Sequence, residues 1–291
     1  MIKYSLDLTN KHELAFLSDL IADIRAQVSR IDILLVGAMA RDLLLFHAHG
    51  IKAKRGTEDI DLGFAVASWS DYEKLRESLL SSDLFHTHPN GAHKLLYRKQ
   101  MEVDLIPFGG LENADGTISW PPEGDTVMSV LGYKEADESS MDVLPPSARQ
   151  VAVVSLPMLA VLKVLAWSER RLIAPRKDAS DLLLILQNYL DAGNSERLYS
   201  EASQLLESPD FDYERAGAWL AGKDAIETIQ ECSHKADRIE ETLCATLEAE
   251  SDPNGQLRLI GELMAPDPEQ SRRILSAFLS GIRGNPIISG G

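Results

Sequence analysis

The chain has 291 residues, 44% of them hydrophobic, which is enough to fill one large core or two modest ones. A formal net charge of −16 argues against a protein coated in positive charge for nonspecific nucleic-acid binding. The two cysteines, Cys232 and Cys244, have no CxxC spacing, so neither a disulfide scaffold nor a zinc site is indicated.

The negative charge is concentrated late in the chain. Residues 191–270 hold 19 acidic and 6 basic side chains, so this stretch carries about −13 and the remainder is close to neutral. A local basic groove for RNA therefore stays open in the first two-thirds. The first residues lack the apolar core of a signal peptide, and no apolar run reaches the roughly 18 residues of a membrane span. We expect a cytoplasmic protein with no membrane partner.

Hydrophobic periodicity predicts alternating helices and strands in the first half. The predicted elements are a helix over 10–30, a strand over 31–36, a helix over 38–48, a strand over 59–66, a helix over 70–80 and two tightly joined strands over 93–98 and 101–107. Ser70 or Asp71 is the expected cap of the third helix. Residues 108–124 are rich in Gly and Pro and predict a loop.

A further strand is predicted at 150–154, and Ser155 then begins a series of helices that includes 178–190. This order indicates an α+β core over 1–154, a mixed sheet with flanking helices, followed by an α-helical domain over 155–291.

Two aspartates carry the main chemical signal. Asp59 and Asp61 are two positions apart on a predicted strand, so their side chains point to the same face while Ile60 and Leu62 point to the core. Two ionised carboxylates this close repel each other, and a divalent cation removes the repulsion. Magnesium binds through one or two carboxylates together with substrate phosphates. Asp104, on the strand over 101–107, is the candidate third carboxylate.

Gly37 ends a buried strand and opens a helix about 22 residues before Asp59. A glycine at such a junction lets the backbone approach a phosphate. Lys163 lies inside an otherwise apolar helix, where a lysine either reaches water or meets an anion, and we favour the anion. For Arg41, a surface position and a nucleotide contact are equally indicated.

These segments resemble the polymerase-β-type nucleotidyltransferase superfamily. The resemblance is carried by Leu35-Val36-Gly37-Ala38, Arg55-Gly56-Thr57-Glu58-Asp59-Ile60-Asp61-Leu62 and Val103-Asp104-Leu105. Downstream, Ser155-Leu156-Pro157, Leu162-Lys163-Val164 and Arg176-Lys177-Asp178-Ala179-Ser180-Asp181-Leu182 are similar to minimal nucleotidyltransferases grouped with the AbiEii toxins of type IV toxin–antitoxin systems. The resemblance covers about residues 31–190. It departs at Ala38, where the superfamily usually has Ser or Gly after the glycine.

The resemblance implies a role for each matching residue. Two magnesium ions would bind Asp59 and Asp61, and Asp178 would help activate the acceptor. Asp104 would be the third metal ligand, or Asp178 would take over part of that role as in the toxin-like branch. Lys163 and Asp178 would come to the site from the helical domain. The NTP would contact residues from both parts of the chain: Gly37, Ala38, Arg41, Thr57, Lys163 and Lys177.

The expected activity is the magnesium-dependent transfer of a nucleoside monophosphate from an NTP to a hydroxyl acceptor. The toxin-like resemblance favours the 3′ end of tRNA and implies an antitoxin partner. Six basic side chains are candidates for backbone phosphates: Lys52, Lys54, Arg55, Lys94, Arg98 and Lys99. A protein side chain or a small molecule such as an antibiotic stays open as acceptor, because the acidic region would repel a polynucleotide. A non-catalytic nucleotide-binding or partner-binding module is the other alternative.

A cluster of histidines, His86, His88 and His93, has spacing that can bind zinc. The intervening Pro89-Asn90-Gly91 is a turn signal, however, so a solvated hairpin turn is favoured.

Overall fold

The structure is a computed structural model that describes residues 5–28, 31–53, 59–91, 93–121, 124, 126–146, 150–170, 175–207, 211–232, 235–251 and 267–286. The chain divides into two compact units. The first comprises Met1–Leu43 and Ala53–Ser155, and the second comprises Leu44–Lys52 and Leu156–Gly291. Residues 44–52 were predicted to belong to the α+β core, whereas they cluster with the helical unit.

The strands all lie in the first unit. They are β1 (Ser5–Asp7), β2 (Ile33–Leu35), β3 (Asp59–Val66), β4 (Phe85–Thr87), β5 (Lys94–Tyr97), β6 (Met101–Gly109), β7 (Thr117–Ser119), β8 (Val127–Ser129), β9 (Met141–Leu144) and β10 (Val151–Val153). Eight of them form one sheet in the order β1-β9-β10-β2-β3-β6-β5-β4, and β7 pairs with β8 separately. The pairs β3–β6, β2–β10 and β1–β9 are parallel and the other pairs are antiparallel, so the sheet is mixed.

The helices of this unit are α1 (Ala15–Gln27), α2 (Gly37–Arg41), α3 (Trp69–Leu80) and α4 (Tyr133–Glu138). The apolar residues that predicted the first helix are buried at helical spacing, from Leu17 to Ile24. The caps predicted for the third helix, Ser70 or Asp71, are wrong by two and three residues. Ser68 is the cap, because its hydroxyl accepts a hydrogen bond from the backbone N–H of Asp71.

The segment after α2 is a π-helix over Asp42–His47. The second unit continues with α5 (Leu156–Arg170), α6 (Pro175–Gln187), a kinked segment over Leu190–Asn194, α7 (Arg197–Ser200), α8 (Ser203–Leu206), α9 (Tyr213–Cys232), α10 (Ala236–Ser251) and α11 (Pro268–Ile282). The predicted fold class is therefore confirmed at the level of an α+β unit with a mixed sheet and a helical C-terminal part. Within the described residues, no helix has the length and apolarity needed to cross a membrane.

Glycines bring α9 and α11 into backbone contact. A Cβ at Gly222 would meet the carbonyl oxygen of Phe278 at 2.2 Å, and one at Gly281 would meet that of Trp219 at 2.1 Å. A larger residue at either glycine would force the two helices apart.

A buried polar group adds to this helical core. The hydroxyl of Tyr189 donates to Asp224, which also accepts two hydrogen bonds from Arg197. Burial, followed by the Asp224 carboxylate, raises the pKa of Tyr189 well above its ordinary value, so the phenol stays a donor.

The prediction of a loop over 108–124 is wrong in part. β6 extends to Gly109, and β7 forms within the Gly- and Pro-rich stretch by pairing with β8. The short strands β1, β4 and β9 were also not anticipated. Each has three or four residues, too few to display an alternating pattern.

Candidate functional site

Asp59 and Asp61 lie at the start of β3 and share one face of the sheet. Their side chains are partly exposed, whereas Ile60 and Leu62 between and after them are fully buried. The alternation predicted from the sequence is thus present, and it follows from the two-residue period of a strand. β3 presents two carboxylates together while its other face anchors it in the core.

The neighbouring strand β6 doubles this acidic face. The parallel register places Asp59 beside Glu102 and Asp61 beside Asp104. Adjacent strands are about 4.8 Å apart, so the side chains of each pair are neighbours. Four carboxylates therefore occupy adjacent positions on two central strands, and this concentration of negative charge requires cations nearby.

Gly37 is in contact with this acidic face. It has a positive φ of 68°, and a Cβ at this position would lie 1.8 Å from Oδ2 and 2.7 Å from Cγ of Asp61. The preceding backbone N–H, of Val36, donates to the carbonyl oxygen of Asp61 over 3.1 Å. Asp61 is therefore held against the end of β2, and only glycine fits beside its carboxylate. Ala38, the next residue, is fully buried.

Asp104 has a cation as its partner. Lys94, on β5, places its Nζ 2.8 Å and 2.9 Å from the two carboxylate oxygens of Asp104 and 3.5 Å from Oε2 of Glu102. Burial lowers the pKa of Lys94, but hydrogen bonding and charge from Asp104, with a smaller part from Glu102, outweigh it and raise the pKa overall. Lys94 is thus an ammonium ion at neutral pH, bound to the carboxylate that was expected to be the third metal ligand.

In the structure the charge of Lys94 is directed at Asp104, and its contact with RNA phosphates stays a prediction. Arg98 is similarly bound to carboxylates of α1, with 3.1 Å to Asp19 and 3.1 Å to Asp23. Lys54 and Arg55, from the same set of basic candidates, lie outside the described residues.

The pairing of Lys94 with Asp104 was not predicted, although the sequence contains a signal for it. β5 and β6 form an antiparallel hairpin in which partner positions are equidistant from Lys99. A tight turn at 98–100 therefore puts residue 94 opposite residue 104. Arg98 and Lys99 both have positive φ, 51° and 59°, which is the conformation of the two central residues of a tight hairpin turn. The tight connection between the two strands was predicted, but neither residue is Gly, Asn or Asp, so the composition did not indicate the turn residues or the register.

The three histidines do not form a metal site. His86 lies on β4, and the Nε2 atom of His88 lies 3.2 Å from Glu102. The His93 ring packs on that of Trp120 with centroids 5.4 Å apart. Burial lowers the pKa of His93, an effect that the charge of Asp104 partly offsets. The predicted hairpin is present, since β4 and β5 are antiparallel neighbours.

Arg41 is buried rather than on the surface, with 1% of its area exposed. Its Nε and Nη2 atoms lie 2.9 Å and 2.6 Å from Oδ1 of Asp42. The guanidinium is held inside the first unit by this carboxylate. A nucleotide-binding role for Arg41 stays a prediction, as it does for Thr57, which lies outside the described residues.

In the second unit, Lys163 does meet an anion, and the anion is supplied by the protein. Its Nζ lies 3.2 Å from Asp178 and 2.7 Å from Asp181, and Asp178 also accepts from Arg170 over 2.8 Å. Lys163 and both aspartates are at most 5% exposed. Such a network is held together because each buried charge has an opposite charge beside it. Lys177 is partly exposed, and the predicted roles of Lys163, Lys177 and Asp178 toward a nucleotide stay predictions.

Among the described residues, no group of three or more His, Cys, Asp or Glu side chains is arranged to hold a metal ion by itself. Asp59 and Asp61 fit magnesium in another way. They offer hard oxygen donors from one strand face, and magnesium commonly takes only one or two carboxylates and completes its shell with water and phosphate oxygens. The Asp61 carboxylate packs closely against Gly37, and this contact fixes one of the two donor groups in place.

No model of a known protein family matches the chain, and no curated protein shows significant similarity to it.

Proposed function

We propose that this protein is a magnesium-dependent nucleotidyltransferase, which moves a nucleoside monophosphate from an NTP to a hydroxyl acceptor and releases pyrophosphate. The observation that carries the proposal is the pair Asp59 and Asp61 on one strand face, with Gly37 leaving room for the Asp61 carboxylate. The motifs around these residues resemble the polymerase-β-type superfamily, which supports the same reaction.

The donor set favours a metal ion whose coordination shell is completed by the substrate. Two carboxylates do not complete an octahedral shell, so triphosphate oxygens and water would supply the remaining ligands. When bound, magnesium supplies positive charge to the reacting phosphate and to the leaving pyrophosphate. We infer that NTP binding depends on Asp59 and Asp61 and weakens strongly without a divalent cation.

The chain's own residues would then position the reaction. Asp59 and Asp61 would hold the magnesium ion, whose positive charge would draw the triphosphate to this face of the sheet. The β3 strand holds the carboxylate oxygens rigidly because Ile60 and Leu62 are fully buried. Gly37 keeps the Asp61 carboxylate beside the end of β2.

For the acceptor, the 3′ end of tRNA is the first candidate, by the toxin-like resemblance of the downstream motifs. The acidic stretch over 191–270 favours a protein or a cationic small molecule instead, because it would repel a polynucleotide lying across it. The test must therefore offer more than one class of acceptor.

The experiment is label transfer from each of the four α-labelled NTPs, with magnesium, to total tRNA and to cell protein. Wild-type protein should label one class of acceptor, and Asp59→Asn and Asp61→Asn should abolish the labelling. Asp83→Asn, an exposed aspartate in a turn, is the matched control and should retain full activity. Absence of label in every acceptor would refute the proposal, and so would label that persists in both site variants. Label that persists after removal of magnesium would refute the metal requirement.

A binding module without catalysis is the alternative on the same fold. It predicts that NTP binds in a manner that depends on magnesium and Asp61 while no acceptor is ever labelled. Equilibrium binding measured on the same protein preparation separates this outcome from a protein that binds no nucleotide at all.

A further inference from the structure

The most informative feature beyond the aspartate pair is the row of charges that crosses three strands. Register places Asp61 on β3 beside Asp104 on β6, and Asp104 opposite Lys94 on β5. The three side chains thus lie at one level of the sheet, in the order acid, acid, base. Two cations would therefore compete for the Asp104 carboxylate, namely the ammonium of Lys94 and a metal ion bound at Asp61.

The lysine holds Asp104 firmly. Its Nζ is within 2.9 Å of both carboxylate oxygens, so it binds the pair of atoms through which a metal ion would be bound. The side chains of Lys94 and Asp104 are 21% and 13% exposed, which limits screening by water. The Oε2 atom of Glu102, 3.5 Å from the same Nζ, adds a second negative charge beside the ammonium.

We propose that Lys94 is an internal counter-cation that keeps Asp104 out of the metal site. In the nucleotide-free protein, one divalent ion then binds through Asp59 and Asp61. The ammonium of Lys94 occupies the carboxylate oxygens of Asp104 that a second ion would need as ligands. This inference rests on the proposed function, because it assumes that Asp59 and Asp61 bind magnesium. It departs from the two-ion site that the resemblance implies, in which Asp104 is a metal ligand.

The number of divalent ions that the protein binds follows from the charges of Lys94, Asp104 and Asp61. Replacing Lys94 by methionine leaves Asp104 partly buried and without its cation, next to Asp61. An uncompensated carboxylate in such a position is strongly unfavourable, and a divalent ion is the available remedy. Lys94→Met should therefore create a second divalent site that is shared by Asp61 and Asp104.

The test is the binding of Mn²⁺ to the metal-stripped, nucleotide-free full chain, followed by electron paramagnetic resonance of the free ion. The wild type should bind one equivalent, and Lys94→Met should bind two. Lys94→Met combined with Asp104→Asn should return to one. Lys74→Met removes an exposed lysine of the same unit and should behave as wild type.

Asp104→Asn alone gives an independent test if the lysine variant folds poorly. It should leave the stoichiometry at one and the Mn²⁺ dissociation constant within about threefold of wild type. A tenfold weaker constant in Asp104→Asn would overturn the inference, since Asp104 would then be a ligand in the resting protein. An unchanged stoichiometry and affinity in folded Lys94→Met would overturn it as well.

The wild-type measurement separates this inference from the function on which it rests. If wild type binds two equivalents of Mn²⁺ and Asp61→Asn weakens them, the role of Lys94 is wrong and the metal site stands. If wild type binds no Mn²⁺ that depends on Asp59 or Asp61, in the presence of NTP as well, the proposed function fails.

Discussion

Substitution of Gly37 by alanine tests the fit between this residue and the Asp61 carboxylate. The added methyl group would lie 1.8 Å from Oδ2, whereas real Cβ atoms essentially never come within 3.0 Å of another heavy atom. The carboxylate must therefore move by about 1.2 Å, or the backbone of Gly37 must shift instead. Displacement of a catalytic group by about 1 Å can cost roughly 100-fold in rate, and we expect that loss in kcat/KM for label transfer.

Gly37→Ala also introduces backbone strain, because φ is 68°. Left-handed backbone costs a residue with a Cβ about 1–2 kcal/mol, and this term has to be separated from the clash. Gly50→Ala provides the matched control, since Gly50 has a φ of 76° and a Cβ there would meet nothing within 4 Å. Gly50→Ala should lose about 1–2 kcal/mol in the free energy of unfolding by urea. Gly37→Ala should lose at least as much, because the clash with Asp61 adds to the backbone strain.

The loss of function should be confined to Gly37→Ala. Gly37→Ala should weaken the binding of Mn²⁺ with NTP and lose activity, while Gly50→Ala should match wild type in both assays. If Gly37→Ala keeps activity within about threefold of Gly50→Ala, the Asp61 carboxylate does not need its observed position and the reasoning is refuted.

Three further predictions concern buried polar groups. Lys163→Met leaves two buried carboxylates without their shared cation and should lower the free energy of unfolding by urea by about 3–5 kcal/mol. The control Lys74→Met should lower it by less than about 0.5 kcal/mol. A loss under about 1 kcal/mol for Lys163→Met would show that the network is not needed for stability. The pKa of His93 is lowered by burial, so its stabilising contribution is present above the unfolded value of about 6.5 and is lost as pH falls below it. The stability of wild type relative to His93→Gln should therefore decrease between pH 7.5 and 5.5, and an increase would contradict the sign. Tyr189→Phe removes the hydroxyl that donates to Asp224 and should cost about 1 kcal/mol in the same unfolding assay, while no loss would mean that Arg197 satisfies Asp224 alone.

The sequence predicts the central strands well because their pattern is long enough. β3 and β6 have eight and nine residues, and their alternation shows which side chains face the core. The sequence predicted that these two strands lie side by side, but it did not predict the parallel register that places Asp61 beside Asp104. The register itself is set by hydrogen bonds along the full length of the two strands, from Asp59–Glu102 to Val66–Gly109.

The partners of buried charges were harder to predict. The sequence indicated that Lys163 meets an anion, but Asp178 and Asp181 come from another helix, and single-helix periodicity carries no information on that packing. Arg41 is buried although an arginine is usually exposed, because the adjacent Asp42 compensates its charge. The Lys94–Asp104 pair depended on a hairpin turn whose residues are not those that such turns favour.

The most direct test of the proposed reaction compares two labels of the same NTP, one in the α-phosphate and one in the γ-phosphate. Nucleotidyl transfer predicts that the acceptor gains the α label, and that the γ label leaves as pyrophosphate in equal amount. Both signals should require magnesium and should be absent in Asp61→Asn. Transfer of the γ label to the acceptor would instead identify a kinase reaction and would contradict the account.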